Sequence, residues 1–416
     1  MSQESKSKAG ALDGIRVLEF SALIAGPSCA RYLADHGAEV IKIERFPDGD
    51  VGRVSNAGHL RRGPMYVQHN SGKKGLCLDL SRPEGLEIAR DLVKRSDVVV
   101  EAFTPGVMAR LGLGWNDCRR LNPKLVMCSI SGFGQTGPNA GRPGYAHVAH
   151  AMTGWLAMQF LHHKPPEAPR GPGIAIADVI TGISAFGTIC AALLKRERTG
   201  DGEYIDIALF DTLFSANDMS LQNYLLTGDV DVFYHPVHRT RDGYLTANIG
   251  PDFRAWQNVC KAMGKEELLD DPRFSTQAGL LANREQATAE VRDWLAHLST
   301  EEAERRLVDH HVVTGMVKTI DDAIRQPQVA ARNLLAEVDD PVLGRISVIN
   351  SSIKYANGEA RVRGHAPMLG EKRGGLAQGA RLLKRTNRGV ANQRSASQRV
   401  AIGMIPITST IPSGPP

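Results

Sequence analysis

The chain reads as an α/β protein built on an open, doubly wound parallel sheet, and three observations predict it. Ile15 to Phe20 and Ala38 to Glu44 are strand-like and flank a helix that opens at Ala25-Gly26-Pro27 and ends at His36-Gly37. A helix between two strands implies that they run parallel. Asp97 to Val100 and Leu125 to Ile130 are short, almost wholly apolar runs, as expected of strands covered on both faces. Alternation of Ile205, Ile207 and Leu209 then marks one more strand after a long apolar helix.

The elements follow in order. Gly75 to Leu80 is strand-like, and Glu84 to Lys94 is an amphipathic helix. Asp178 starts the next long helix, with apolar residues at Ile183, Phe186, Ile189, Cys190, Leu193 and Leu194. Lys195, Arg196 and Arg198 in its last turn and Gly200 just beyond are stop signals. Past residue 229 the pattern changes. Arg241-Asp242-Gly243-Tyr244 is a turn into a strand, helical periodicity dominates from Phe253 to Leu335, and Pro341 to Tyr355 is strand-rich around a Leu343-Gly344-Arg345 turn. From Gly374 to Pro416 the composition is that of a disordered basic tail.

Composition bounds the function. The 416 residues are 42% hydrophobic and 23% charged, ordinary values for a globular protein. The net charge of +5 belongs to the tail: eight of the 50 Lys and Arg residues lie from Lys372 onward, where there is no Asp or Glu. The remaining 42 basic residues face 45 acidic ones, so no nucleic-acid groove is expected. No apolar run reads as long enough to span a bilayer, and the N-terminus lacks a signal sequence, so no membrane partner is expected. The six cysteines show no C-x-x-C pair and no zinc spacing, which points to reduced thiols, no metal and a cytoplasmic location.

The candidate chemistry centres on Asp178. An apolar, small-residue stretch from Gly173 delivers one carboxylate to a helix start, where unpaired N–H groups favour an anion. Held ionised there, it can act as a nucleophile. On spacing alone the plainer reading is an N-cap. Elsewhere, Asn70-Ser71-Gly72-Lys73-Lys74-Gly75 is either a phosphate-holding loop or a solvated turn. Glu44 stands where a ribose-reading acid would end the second strand, but Ala25-Gly26-Pro27-Ser28-Cys29 lacks the G-x-G-x-x-G fingerprint, so nicotinamide binding is not supported. His147, His150, His162 and His163 cluster without a neighbouring carboxylate and read as a polar loop rather than a metal site. No G-x-S-x-G elbow is present.

Taken in order, a longer set of motifs is specific. It runs from Ala25-Gly26-Pro27 through Leu33 to Glu44, Gly49-Asp50, Leu78-Asp79-Leu80, Phe103-Thr104-Pro105-Gly106 and Leu111-Gly112-Leu113-Gly114. It continues with Ser131 to Pro138, Arg142-Pro143-Gly144-Tyr145, Ala177-Asp178, Thr181-Gly182 and Arg239 to Tyr244, and closes with Pro327 to Arg332 and Pro367-Met368-Leu369-Gly370-Glu371. Over residues 11–371 the chain thereby resembles the family III coenzyme A transferases, a group that also includes the α-methylacyl-CoA racemases.

The resemblance implies a Rossmann-like large domain (11–228) that binds CoA, a smaller α+β domain (229–335), a segment returning to the large domain (336–373) and an interlocked homodimer. It implies that CoA and its acyl thioester are substrates, with no tightly bound cofactor. Asp178 matches the catalytic aspartate, and Ile24, Ala25, Arg45, Leu78, Ser81, Phe103, Thr104, Arg110 and Tyr145 match the CoA contacts. Arg45 and Arg110 become candidate phosphate ligands, since guanidinium groups bind phosphates in a fork. The implied reaction moves CoA from an acyl-CoA to a small acid, dicarboxylic by analogy, through aspartyl anhydride and aspartyl-CoA thioester intermediates.

Departures from the pattern narrow the reading. Ala102 and Ala146 replace the usual Asn and Asp, and the usual Val-Pro is changed around Val312-Val313-Thr314. The family's C-terminal helix is not visible after Glu371. Ile24 replaces the glutamine of formyl-CoA transferases, whose glycine run is also absent, which argues against formate or oxalate. Racemases carry a histidine where this chain has Tyr145, a poor base at neutral pH. The alternatives to transfer are therefore a racemase or a non-catalytic CoA-binding homologue.

Overall fold

The computed structural model describes residues 9–55, 57, 62–161, 173–229, 237–247 and 253–371. His162, His163 and the 374–416 tail lie outside them.

Six parallel strands form the central sheet: β1 (Arg16–Phe20), β2 (Glu39–Arg45), β3 (Lys74–Leu78), β4 (Val98–Glu101), β5 (Val126–Ser131) and β6 (Glu203–Ala208). Their spatial order is β3-β2-β1-β4-β5-β6, the doubly wound order with a reversal between β1 and β4. Strand side chains alternate between faces, so each strand feeds two cores. Val17, Val40, Val98, Val126 and Cys128 pack on one face beneath α1 (Ala25–Asp35) and the later helices. Leu18, Phe20, Ile41, Val99 and Met127 pack on the other. That second face is covered by α3 (Pro83–Val93), α4 (Val107–Arg110) and α5 (Trp115–Leu121), while α2 (Pro64–Asn70) precedes β3.

Between β5 and β6 the chain forms α6 (Ala146–Met152), α7 (Trp155–Leu161) and α8 (Ile176–Thr199). The 24 residues of α8 span about 36 Å, enough to cross the whole sheet. Its stop signals act as expected: Gly200 takes φ +79° and donates its N–H to the Arg196 carbonyl. Arg196 ion-pairs with Asp97 at 3.0 Å, just before β4, which fixes that end of α8 at the amino edge of the sheet. The other end, with Asp178, therefore lies at the carboxyl edge.

One sequence expectation is corrected here. By length and composition α8 is apolar enough to cross a membrane. Asp178 apart, its run is broken up by small residues, and the inner face combines them with two larger ones: Ala177, Thr181, Gly182, Ala185, Ile189, Ala192 and Leu193 are buried against α1 and the sheet. Close packing on α1 depends on Gly182, where an added Cβ would lie 2.0 Å from Ser28 Oγ and 3.0 Å from the Ala25 carbonyl.

After β6 come α9 (Leu209–Ala216) and α10 (Asp218–Thr227). A separate core gathers Leu245, Trp256, Phe274, Val291, Leu295 and Leu307. It lies among α11 (Phe253–Met263), α12 (Gln277–Ala282), α13 (Arg284–Ala296), α14 (Thr300–Asp309) and the antiparallel strands β7 (Val237–Arg239), β8 (Tyr244–Ala247) and β9 (Thr314–Met316). The hairpin of β10 (Leu335–Asp340) and β11 (Gly344–Ile349) turns at Pro341–Leu343 and packs on Val67 of α2. Arg62 pairs with Asp340 at 3.2 Å, and the Gly72 N–H donates to the His365 carbonyl, so residues 335–367 lie against the α2–β3 region.

Candidate active site

Because all six strands are parallel, the loops after them open on one edge, where ligands of such sheets bind. Ile24 and Ala25 follow β1, Arg45 ends β2, Leu78 ends β3 with Ser81 just beyond, Phe103 to Arg110 follow β4, and Tyr145 lies between β5 and α6. Arg45 and Leu78 are register partners on adjacent strands. The nine residues matched to CoA contacts thus share the carboxyl edge with Asp178.

They are not equivalent. Arg45 and Arg110 are exposed cations, and neither has an ion pair among the described residues. Gly106, at φ +85°, leaves space that the Arg110 guanidinium approaches: an added Cβ would lie 3.1 Å from its Nη1. Ser81 is exposed, and its hydroxyl donates to Asp79 at 2.6 Å. Leu78 is buried in the core and its carbonyl accepts the Phe46 N–H at 3.1 Å, so it shapes the edge instead of presenting a polar group. Phe103 packs half-buried against the same core, while Thr104 is exposed.

Asp178 is the third residue of α8, not its cap; Ala175 takes that position and makes no side-chain cap bond. Three helix starts meet at its carboxylate. Backbone N–H groups of Ala25, the first residue of α1, and Ala146, the first of α6, lie near enough to favour its charged form, as does its own N–H. The neighbouring Ala177 N–H donates to Nε2 of the buried His150 at 3.3 Å, which assigns the proton of a neutral His150 ring to Nδ1.

The sequence reading expected the helix start to keep this carboxylate ionised. Instead, burial dominates and pushes it up to about 6, with the three N–H groups and His147 pulling the other way. At pH 7 the anion still prevails, but it is more basic than an exposed aspartate. Tyr145 is 56% exposed, and its ring stacks on His147 with centroids 6.2 Å apart. The approach of Gly144 to Gly132 sets the entry to α6: a Cβ on Gly132 would lie 2.7 Å from the Gly144 Cα.

Two candidate binding features change meaning. Lys73 neither holds phosphate nor faces solvent. It is fully buried and bonds Glu19 at 2.7 Å, while Lys74 pairs with Glu39. Glu44 is buried against Arg53, with contacts of 2.6 and 2.7 Å, and reads no ribose. Among the described residues no group of three His, Cys, Asp or Glu could hold a metal ion. A depression lined by Lys94, Asp97, Lys124 and Arg196 lies at the amino edge, the far end of α8 from Asp178.

Residues that spacing did not single out are the Ala146 N–H, His147 as a neighbour of Asp178, and the buried ions around Glu19. The last left a signal. Glu19 and Lys42 are charges flanked on both sides by apolar residues within their strands, and such charges must find partners. They are register neighbours on β1 and β2.

Comparison with known proteins agrees with this geometry. The description "CoA-transferase family III" matches residues 12–373. A succinate–glutarate CoA-transferase of Agrobacterium fabrum is 32% identical over 395 residues, covering 90% of this chain and 97% of that one. A succinyl-CoA:mesaconate CoA-transferase of Haloarcula hispanica is 33% identical over 398 residues, covering 91% and 98%. Among solved structures, the D175A mutant of Rv3272 from Mycobacterium tuberculosis superposes with a TM-score of 0.78 at 30% identity, covering 88% and 98%. A CAIB/BAIF family protein from Brucella suis gives 0.77 at 30% identity, covering 90% and 100%. With the parallel sheet, the carboxylate at its carboxyl edge and these relatives together, the chain belongs to CoA-transferase family III and is an enzyme that moves coenzyme A from an acyl-CoA to a carboxylic acid.

Proposed function

We propose that Asp178 carries this transfer as a covalent nucleophile and that the substrates are dicarboxylic acids. The observation that supports the reading most is its setting: a carboxylate raised to about 6 by burial and met by N–H groups, on the edge that carries Arg45 and Arg110. A desolvated, more basic carboxylate is a better nucleophile than an exposed one.

In the proposed sequence an Asp178 oxygen attacks the donor thioester carbonyl. The C–S bond breaks and CoA leaves as a thiolate, giving a mixed anhydride. The thiolate attacks the aspartyl carbonyl, the donor acid departs as its carboxylate, and an aspartyl-CoA thioester remains. The acceptor carboxylate attacks that thioester, again releasing thiolate and forming a second anhydride. Thiolate attack on the acceptor carbonyl completes the new acyl-CoA and restores Asp178. The N–H groups of Ala25 and Ala146 suit stabilisation of the oxyanions that precede each collapse. Arg45, Arg110, Ser81 and Thr104 hold CoA in this reading.

Succinate and glutarate are named in the Agrobacterium relative and mesaconate in the Haloarcula one, which supports small dicarboxylates here. The division into units 11–228, 229–335 and 336–373 belongs to the same reading. A homodimer, interlocked in the full reading, is supported by α10. It buries none of its residues, and Leu225 and Leu226 are 75% and 76% exposed. Six free cysteines support a cytoplasmic location.

The test is to incubate the protein with succinyl-CoA and a panel of carboxylates, then quench with hydroxylamine or borohydride and map the label. Label on Asp178 with glutaryl- or mesaconyl-CoA as product is expected. Transfer that survives in Asp178→Ala would overturn the mechanism.

A further inference from the structure

The turn that brings the Ala25 N–H to Asp178 is itself gripped by ions that the transfer chemistry does not use. Glu19 Oε1 lies 3.0 Å from Lys42 Nζ, and Glu19 Oε2 lies 2.7 Å from Lys73 Nζ. Lys42 also reaches Asp50 Oδ2 at 3.0 Å. All four residues are buried, three of them with no solvent exposure.

Each arm of this network ends on the β1–α1 turn. Lys42 donates to the Ser21 carbonyl at 2.8 Å, and Lys73 donates to the Pro27 carbonyl at 2.9 Å. Asp50 Oδ1 accepts the Leu23 N–H at 3.2 Å. The turn therefore has a contact near its start, its middle and its end.

It also needs holding. Leu23 sits at φ +66°, a left-handed conformation that a side chain disfavours. Gly26 folds back so closely that an added Cβ would lie 2.4 Å from Ser21 Cβ. Apolar side chains would fill the same volume without desolvating four charges. Polar arms, unlike apolar ones, can fix individual backbone atoms.

We propose that Glu19, Lys42, Lys73 and Asp50 are positioning residues for Asp178, holding the Ser21–Pro27 turn so that the Ala25 N–H stands on the carboxylate. The proposal rests on the reading of Asp178 as the reacting group. The groups facing that carboxylate are the N–H groups at the starts of α1, α6 and α8, with His147 as the titratable neighbour. Loosening the turn removes one donor to the anion. Asp178 then protonates at higher pH, and less nucleophile is present at neutrality.

Two charge-conserving pairs test this in the full-length enzyme: Glu19→Gln with Lys73→Met, and Lys42→Met with Asp50→Asn. Each pair is expected to lower kcat about ten- to a hundredfold, with a smaller effect on the KM of the CoA thioester. The acid limb of the pH–rate profile should rise by about half a pH unit. Adding Leu23→Gly, which adopts the turn without enforcement, should recover kcat about threefold or more and bring the limb back. Loss of activity with an unmoved limb and no recovery by Leu23→Gly overturns the proposal.

A readout on the unmodified protein stands even if both pairs fail to fold. The 15N-alanine amide of Ala25, assigned by Ala25→Ser, should titrate with Asp178 in wild type and not in Asp178→Asn. An Ala25 amide indifferent to Asp178 overturns the proposal by itself. Wild-type protein without transfer activity would instead overturn the transferase reading, while the amide titration would still report on the turn.

Discussion

Two desolvated carboxylates at the same edge of one sheet have opposite fates. Glu19 is fully buried, and burial alone would raise it, yet the attraction of Lys42 and Lys73 outweighs that and holds it down at about 2. Asp178 is only partly buried, is met by N–H dipoles rather than ammonium groups, and is raised to about 6 by desolvation. Glu19 lies deeper and is nevertheless the one held down, so the kind of partner outweighs depth. A full opposite charge locks a carboxylate as an inert structural anion. Dipoles leave it ionised near neutrality but basic enough to attack a carbonyl.

The largest expected effect breaks the reactive half of this comparison. Asp178→Ala should lower transfer by at least about 10⁴-fold in steady-state assays. Asp178→Asn should be equally inactive but more stable. Its folded pKa lies above the unfolded value, so the stability that the neutral carboxyl contributes is lost as pH rises from about 4 through about 6. The shift corresponds to about 3 kcal/mol at most. Partial solvent access brings the expected gain at pH 7.5 to about 1–2 kcal/mol by denaturant unfolding. A destabilised Asp178→Asn would contradict the sign.

Breaking the inert half should read out as stability. Glu19→Gln leaves two buried ammonium groups with one carboxylate fewer, and about 3–5 kcal/mol of unfolding free energy should be lost. An unfolding midpoint within error of wild type would mean that the network is solvated in solution.

A pH series sharpens the comparison further. Transfer should fall as pH drops through about 6, where Asp178 protonates. Glu19 has a depressed pKa, so its contribution is fully present above the unfolded value near 4.5 and is lost only as pH falls toward 2. Between about pH 6 and 4.5 the enzyme should therefore lose activity reversibly while circular dichroism stays native. Coincident loss of both signals would argue that the two carboxylates are not independent.

The smallest effect concerns the wider edge. Arg110→Ala should raise the KM for acyl-CoA about tenfold and leave kcat nearly unchanged, because a phosphate contact binds ground and transition states alike. A fall in kcat alone would place Arg110 in the reacting centre.

Much of the sheet was legible because its strands and helices are locally consistent. The strand at Ile15 to Phe20, the helix from Ala25 and the stop at Gly200 all carry local signals, and the structure forms each within a residue or two of its expected bounds. Asp178 was legible through the ordered motifs around it. Lys73 was not. Its neighbours Gly72 and Lys74 read as an exposed loop, and only the pairing of β2 with both β1 and β3 puts Glu19 where Lys73 can reach it. The apolar length of α8 is hard to see because its small residues do not stand out as a hydrophobic run, although with Ile189 and Leu193 they make the buried inner face.

By itself the sequence determined the order of strands and helices, the carboxylate at the start of α8 and the family to which the chain belongs. These depend on local periodicity and on motifs, which survive without a third dimension. The tertiary structure decided which charges are partners and which are alone. Register sets Lys42 beside Glu19, the crossing at Gly182 lets the Ala25 N–H approach Asp178, and desolvation then raises that carboxylate. Burial and electrostatic pairing are properties of neighbours in space, and residues 25, 146 and 178 become neighbours only when three helices start at one point.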